Sequence, residues 1–593
     1  MHFSTRSKMS VLLLLAGILT IVGGFGVNLA VHASSAPTPP TSNPSAGVTR
    51  FTGSASALSS TTGTLNTKAT AAHTSISSTP KLAVSPVGSR GVHSLAANAG
   101  AVAAIDTGAD LTPAIATAAM ASQTGSVLHN FAGINSVDSA TANGFTLEPP
   151  DQGLCVGTFL GQKVIIETVN NATAFYTPTG ALVAGPLSNN AVFGEPAAEF
   201  MSDPRCYFDA STQTFFLTDL AIDSFSPIAN HVDLLALHAN GATNQVAVDV
   251  TFAGNTAGNC PCLGDQPKFG IDQSNVYISV DQFDSTLTFE TGAALVAVSK
   301  SQLLSGAATV NEAAFVNLSL LGIGVTGLQP AITTGSSAQE FLLNSFEYQD
   351  AAQTQPLSTS HTLGLWAVAD PQNVTAGTLP ELSAVTVTSE TYAFPVDAKT
   401  TNGLSLATFT NDDRMQQVQF VNGHLVAALD SAVLVKGDAL TRDGAAWFEV
   451  QPTMADHADV GGATFVQQGY VATAGKFLLY PAIEQSTSGS TAIGFSFTSP
   501  TQNPSTGFVI SGPGHISFSH LHTTFVGPTQ DAGFSCLQGA PQQCRWGDYS
   551  ATALDPNGKD FWFADEPTVA QILNPTVPNN RTNWGTHIWE SKG

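Results

Sequence analysis

Three stretches of this chain follow one plan: SDPRCYFDASTQTFFLTDL at 202–220, GDQPKFGIDQSNVYISVDQ at 264–282 and CRWGDYSATALDPNGKDFWFADE at 544–566. In each, an acidic residue is followed six or seven places later by a turn of Asp, Asn or Gly, and then by an aromatic, alternating run. Alternation with period two, broken by turn residues, is the signature of antiparallel hairpins. The same plan extends along the chain. Opening and second strands read PDQGLCVGTFLGQKVIIETV, DPRCYFDASTQTFFLTDL, DQPKFGIDQSNVYISVDQ, QPAITTGSSAQEFLLNSF, DRMQQVQFVNGHLVAALD, FVQQGYVATAGKFLLYPA and GDYSATALDPNGKDFWFAD. Matching third strands read NATAFYTP, VDLLALHA, AALVAVSK, LGLWAVAD, AAWFEVQP, AIGFSFTS and THIWESKG.

Sheets of four short strands cannot cover their own faces, so repeated ones pack face to face in a ring that leaves only short, protected edges. Residues 126–593 are therefore expected to form an all-β fold, a seven-bladed β-propeller with units spaced at about 50–85 residues. Gly and Ala belong on the innermost strands, where blades crowd the axis. The sequence ends just after a third strand, so the last blade lacks its fourth; the run VLHNFAGINS (127–136) is the expected donor that closes the ring. Only SKSQLLSG (299–306) reads as a helical turn.

Ahead of this domain, His2, Arg6 and Lys8 precede a long apolar run ending in Val31-His32-Ala33, a small-residue cleavage pattern. Residues 1–33 read as a signal peptide or, because the run is about bilayer length, an uncleaved N-terminal anchor. Residues 34–125, rich in Ser, Thr, Ala and Pro with almost no charge, read as a disordered linker that cannot bury enough apolar area to offset chain entropy. An extracellular protein, secreted or surface-tethered, is the expectation, with membrane contact only through the N-terminal segment. Acidic residues outnumber basic ones 43 to 19, for a formal charge of −24, which argues against nucleic acid.

Six cysteines in an exported chain point to disulfides. Cys536 and Cys544 flank a short loop and are expected to pair, whereas Cys155, Cys206, Cys260 and Cys262 have no connectivity legible in sequence. Zinc at Cys260-Pro261-Cys262 would need a second ligand pair nearby, and none is evident; no metal site is assigned.

Pro149-Pro150-Asp151, Asp203-Pro204-Arg205, Gln266-Pro267-Lys268-Phe269-Gly270, Asp412-Asp413-Arg414 and Arg545-Trp546-Gly547-Asp548-Tyr549-Ser550 resemble the motifs of a family of exported bacterial β-propeller proteins. The resemblance spans roughly 128–593, and RWGDYS is its most specific element. It implies a secreted propeller and no established reaction. The chain departs from the pattern at Gln266, where the family often has an aromatic, and at Leu154-Cys155 inside the first motif.

Asp151, Asp203, Asp265, Asp413 and Asp548 occupy related positions, each just before an opening strand, and in a propeller that junction reaches the rim of the axial channel. Converging carboxylates repel, so they need a hard cation such as Ca²⁺ or the neighbouring Arg205, Lys268, Arg414 and Arg545. Three readings follow: a brace that ties blades together through Arg or backbone amides, a ligand or cation site, or an acid/base pair acting on a glycan. The first two make the chain a binding module for an extracellular glycan or protein; the third makes it a hydrolase. His515, His520 and His522 offer a weaker metal reading beside that of a polar strand, and Asp555-Pro556-Asn557-Gly558 reads as a hairpin turn. Trp366, Trp447, Phe495 and Trp589 read as blade packing first and sugar platforms second. No GxSxG, HExxH or phosphate-binding glycine loop is present, nor the S-x-D-x-G-x-T-W box of sialidase-type propellers.

Overall fold

The computed structural model describes residues 125–593, apart from 254, 256–258, 288–289, 322, 347–358, 402–406, 515–516, 538–542 and 574–580. It also describes three earlier strands, Thr49–Thr61, Lys81–Val84 and Ile115–Ala116. The segment expected as signal or anchor and the rest of the expected linker lie outside the described residues. Among the described residues no helix is long and apolar enough to cross a membrane.

The fold is an all-β propeller of antiparallel sheets. Hydrogen bonding groups its larger sheets into five, of 16, 4, 4, 5 and 4 strands, where seven were expected. The reduction has a specific cause. Thr49–Thr61 pairs with both Thr243–Asp249 and Thr309–Leu320, and Ile332–Thr333 pairs with both Leu263–Ile271 and Met415–Val421. Three of the expected units are thereby joined edge to edge into the 16-stranded sheet. Repeat spacing reports which strands form hairpins, and carries no information on such bridging strands.

Central strands are buried along their whole length. Every residue of Leu263–Ile271, Thr491–Ser499 and Thr582–Ser591 is buried, because both faces of each sheet are covered. Neighbouring sheets approach so closely that side chains must be absent at particular points. A Cβ at Gly157 would stand 2.3 Å from the Phe208 ring, and one at Gly270 would stand 2.3 Å from Pro330. Small residues on the opening strands therefore have a direct packing reason.

Val127–Asn135 lies antiparallel against Thr582–Ser591, with Asn130 opposite Trp589 and Phe131 opposite Ile588. Three α-helices occur among the described residues, Ser136–Asn143, Asn189–Phe193 and Lys300–Leu304, the last inside the expected 299–306 turn and the other two unexpected. The first has no apolar periodicity and is fixed by its cap: Asn135 accepts from the backbone of Val137 and Asp138, and Asp138 returns the bond to the Asn135 N–H.

All six cysteines pair: Cys536 with Cys544 as expected, Cys155 with Cys206 and Cys260 with Cys262. Cys155–Cys206 links the opening strands of two adjacent sheets, Gly153–Phe159 and Phe200–Asp209.

Candidate functional site

The site grows from one backbone conformation used repeatedly. Asp151, Asp203, Gln266, Gly327, Asn411, Tyr480 and Gly547 have φ between 45° and 59°, the left-handed region. Each lies within or just before an opening strand. At Asp203-Pro204, Gln266-Pro267 and Tyr480-Pro481 the ladder slips, between Ser202 and Arg205, Asp265 and Lys268, and Leu479 and Ala482. These are bulges, which bend a strand and re-aim its side chains. A left-handed non-glycine residue costs about 1–2 kcal/mol, so something must hold it.

The holding groups come from the preceding sheet. Asp203 N–H donates to Asn170 Oδ1 at 2.7 Å, Gly327 N–H to Asp281 Oδ1 at 2.8 Å, and Tyr480 N–H to Asp430 Oδ1 at 2.9 Å. Asn170 follows the strand Gln162–Val169, Asp281 lies on Asn275–Phe283 and Asp430 on His424–Val435. Asp548 N–H likewise donates to Asp151 Oδ1 at 2.6 Å, joining the two ends of the domain. An acceptor on one sheet thus locks the strained residue of another.

The structure brings the predicted residues together, but with partners that differ from the expected ones. Arg545 Nη2 donates to Asp548 Oδ2 at 2.6 Å, as their spacing suggests. Arg414 grips Asp412, not Asp413, in a two-point fork at 2.7 and 2.5 Å. Lys268 pairs with Asp281 at 2.7 Å, not with Asp265. Arg205 lies over the Tyr549 ring at 3.3 Å and donates to Pro267 O at 3.3 Å, so it serves as a stacking group between sheets. The expected open rim is also corrected: Asp151, Asp203, Asp265, Asp413 and Asp548 are between 0% and 4% exposed.

Eight carboxyl groups, those of Asp151, Asp203, Asp265, Asp281, Asp412, Asp413, Asp430 and Asp548, lie beside four cations here, those of Arg205, Lys268, Arg414 and Arg545. The imbalance, added to burial, raises several of them. Burial, then the neighbouring charge of Asp203, raises Asp151 to about 7. Burial, then Asp281, raises Asp265 to about 7. Asp203, Asp413 and Asp548 are pushed well up, each chiefly by burial. Arg545 is held above its ordinary value against the effect of burial, principally by Asp548, whereas burial lowers Arg205. Asp203 Oδ1, Asp265 Oδ1 and Asp413 Oδ1 have no hydrogen-bond partner among the described residues, and these are the oxygens to which a proton or a small cation could attach.

Beside this layer lies a cavity of ≈ 40 Å³ lined by side chains including Gln152, Arg205, Gln329 and Gln416. It has room for about three water molecules. Both amide atoms of Gln152 and Nε2 of Gln416 have no protein partner among the described residues, which suits bridging water.

The other sequence candidates also resolve. Trp366, Trp447, Phe495 and Trp589 are at most 5% exposed and pack between sheets, which removes them as sugar platforms. His522 accepts from Gly125 N–H at 3.1 Å and stacks on Phe508, a structural role; His515 lies outside the described residues. Asp555 closes its hairpin through Asn557 N–H and also accepts from Trp562 Nε1. The sequence reading missed Asn170, Gln266, Asp281, Asp412, Asn411 and Asp430 as members of the site. A signal for part of this set exists: Asp219, Asp281, Asp430 and Asp565 recur at one place on the second strands.

Two groups of metal-ligating residue types stand close together among the described residues. In the first, Asp531 with Cys536 and Cys544, the sulfurs are bonded to each other. The second comprises Glu195, Glu199 and His231.

No protein-family model matches this chain, and no curated protein is similar to it. Among solved structures, it is similar to a putative oxidoreductase (glucose dehydrogenase) from Thermus theromophilus, at 11% identity over 58% of this chain and 90% of that one, with a TM-score of 0.27. It is also similar to a GH43_1 enzyme from Xanthomonas citri complexed with xylotriose, at 10% identity over 65% and 87%, TM-score 0.28. A PL25 ulvan lyase matches at 8% identity over 74% and 94%, TM-score 0.30. Likenesses this loose carry no argument about the chemistry of this chain.

Proposed function

We propose that this chain is an extracellular binding module of the exported bacterial propeller type, whose acidic hub braces the ring and whose surface loops recognise a glycan or protein ligand. The observation that carries this reading is the burial of the five predicted carboxylates to 4% exposure or less, with Asp151 accepting the Asp548 N–H and Asp548 accepting from Arg545. Asp151 and Asp548, committed in this way, tie the two ends of the domain together. Three disulfides agree with an oxidising, extracellular location. The excess of acidic residues favours a cationic or uncharged ligand over a polyanion.

The test is a glycan-array and hydrolysis screen of the full chain beside an Asp203→Asn, Asp548→Asn double variant. The binding reading expects no sugar release by either protein and unchanged ligand binding by the folded variant. Release of sugar by the wild type that the folded variant has lost would assign the hub to catalysis and replace this reading.

A further inference from the structure

A second cluster, absent from the sequence reading, lies between a loop and a hairpin. Helix Asn189–Phe193 ends at Gly194 in the left-handed conformation, and the following loop is pinned by Asn190, whose amide donates to Pro196 O and Glu199 O. This loop carries Glu195 and Glu199. The facing hairpin, Thr214–Phe225 with Ile228–His238, carries Asp223, His231 and Asp233, the last two on one face because they are two residues apart on a strand.

The distances are informative. His231 Nε2 is 3.6 Å from Glu195 Oε1 and 3.8 Å from Asp233 Oδ2. These are too long for hydrogen bonds. They approach the separation of about 3.3–3.6 Å expected for two ligands sharing an ion that each binds at about 2.0–2.2 Å in tetrahedral geometry. Ligand atoms of Glu195, Glu199 and His231 all lie within 4.8 Å of one another. Independently of that trio, Asp233 is fully buried. Its Oδ1 is taken by Gln245 at 2.8 Å, while Oδ2 has no partner among the described residues and is turned toward His231. His231 Nε2 is also buried without a hydrogen-bond partner among them. On the far side of the ring, Nδ1 is 3.4 Å from Asp223 Oδ2, the carboxylate–histidine pairing that orients a metal-binding imidazole.

We propose that Glu195, Glu199 and His231 form a site for one divalent transition-metal cation of the zinc class, bound through His231 Nε2, with the buried Asp233 carboxylate beside the ring and Asp223 orienting it as acceptor from Nδ1–H. A nitrogen ligand beside two carboxylates selects such a cation over calcium, which takes oxygen ligands. Binding would fasten the 194–200 loop to the adjacent hairpin.

The test is calorimetric titration of Zn²⁺ into the full, chelator-stripped chain, with thermal unfolding alongside. One equivalent is expected to bind, to raise the melting temperature, and to survive an equal concentration of Ca²⁺. His231→Gln and the loop variant Glu195→Gln, which leaves the hairpin intact, should each weaken binding at least tenfold. His457→Gln, at an exposed histidine, should leave it unchanged. The proposal is overturned if the wild type takes up no zinc, if Ca²⁺ displaces it at equal concentration, or if neither site variant weakens binding.

Discussion

Replacing Asp281 with alanine removes both functions of a hub carboxylate at once. Oδ2 is the 2.7 Å partner of Lys268, which is 2% exposed, and Oδ1 accepts the Gly327 N–H at 2.8 Å. Breaking a buried ion pair from one side costs about 3–5 kcal/mol, because the remaining charge stays desolvated. A buried N–H left without an acceptor costs about 1–3 kcal/mol more. The two overlap in one cavity, so the expected loss is about 5 kcal/mol. A domain of about 470 residues has an unfolding entropy near 1 kcal/mol/K, so the melting temperature should fall by about 5 °C. Scanning calorimetry at pH 7 is the assay. Adding Lys268→Met to Asp281→Ala should recover part of the loss, since it removes the stranded ammonium. A melting temperature within about 1 °C of the wild type for Asp281→Ala would refute the reasoning, and so would a double variant with strictly additive losses.

Glu484 is buried and raised to about 8, chiefly by that burial. A raised carboxyl favours the folded state fully below its unfolded value of about 4.5 and loses that contribution as pH climbs through 8, a difference of about 3 kcal/mol at pH 7. Glu484→Gln should therefore be neutral near pH 4.5 and stabilising near pH 8, by urea unfolding at both. Replacing Cys155 and Cys206 with serine opens a link across 51 residues and should cost about 4 kcal/mol in the chain-entropy account, seen as a lower urea midpoint. Gly157→Ala drives a methyl into the Phe208 ring and should cost about 1–3 kcal/mol, with no effect on disulfide formation by thiol counting.

How much of this was legible follows from what each residue does locally. Turn residues and alternation are encoded within a few positions, so the all-β propeller and most hairpins could be read directly. The pairing of Cys536 with Cys544 was equally local. Partner choice within the hub was not. Asp412 and Asp413 are adjacent and chemically identical, and only the local backbone path decides which one Arg414 folds back onto. Lys268 reaches Asp281 on the next strand, a neighbour that register supplies and spacing does not. Exposure was not legible because a carboxylate before a strand is as compatible with an exposed rim as with a buried layer. The Glu195, Glu199 and His231 cluster joins a loop to the next hairpin, a juxtaposition that only the folded ring creates.

The brace makes its sharpest demand on four backbone amides, those of Asp203, Gly327, Tyr480 and Asp548, each donated to a side chain of another sheet. Hydrogen exchange followed by mass spectrometry on peptides covering them measures that demand directly. The account predicts that these amides exchange only when the whole domain opens, and that Asp430→Ala accelerates exchange at Tyr480 above the other three. Exchange of all four within seconds in the native protein would contradict it.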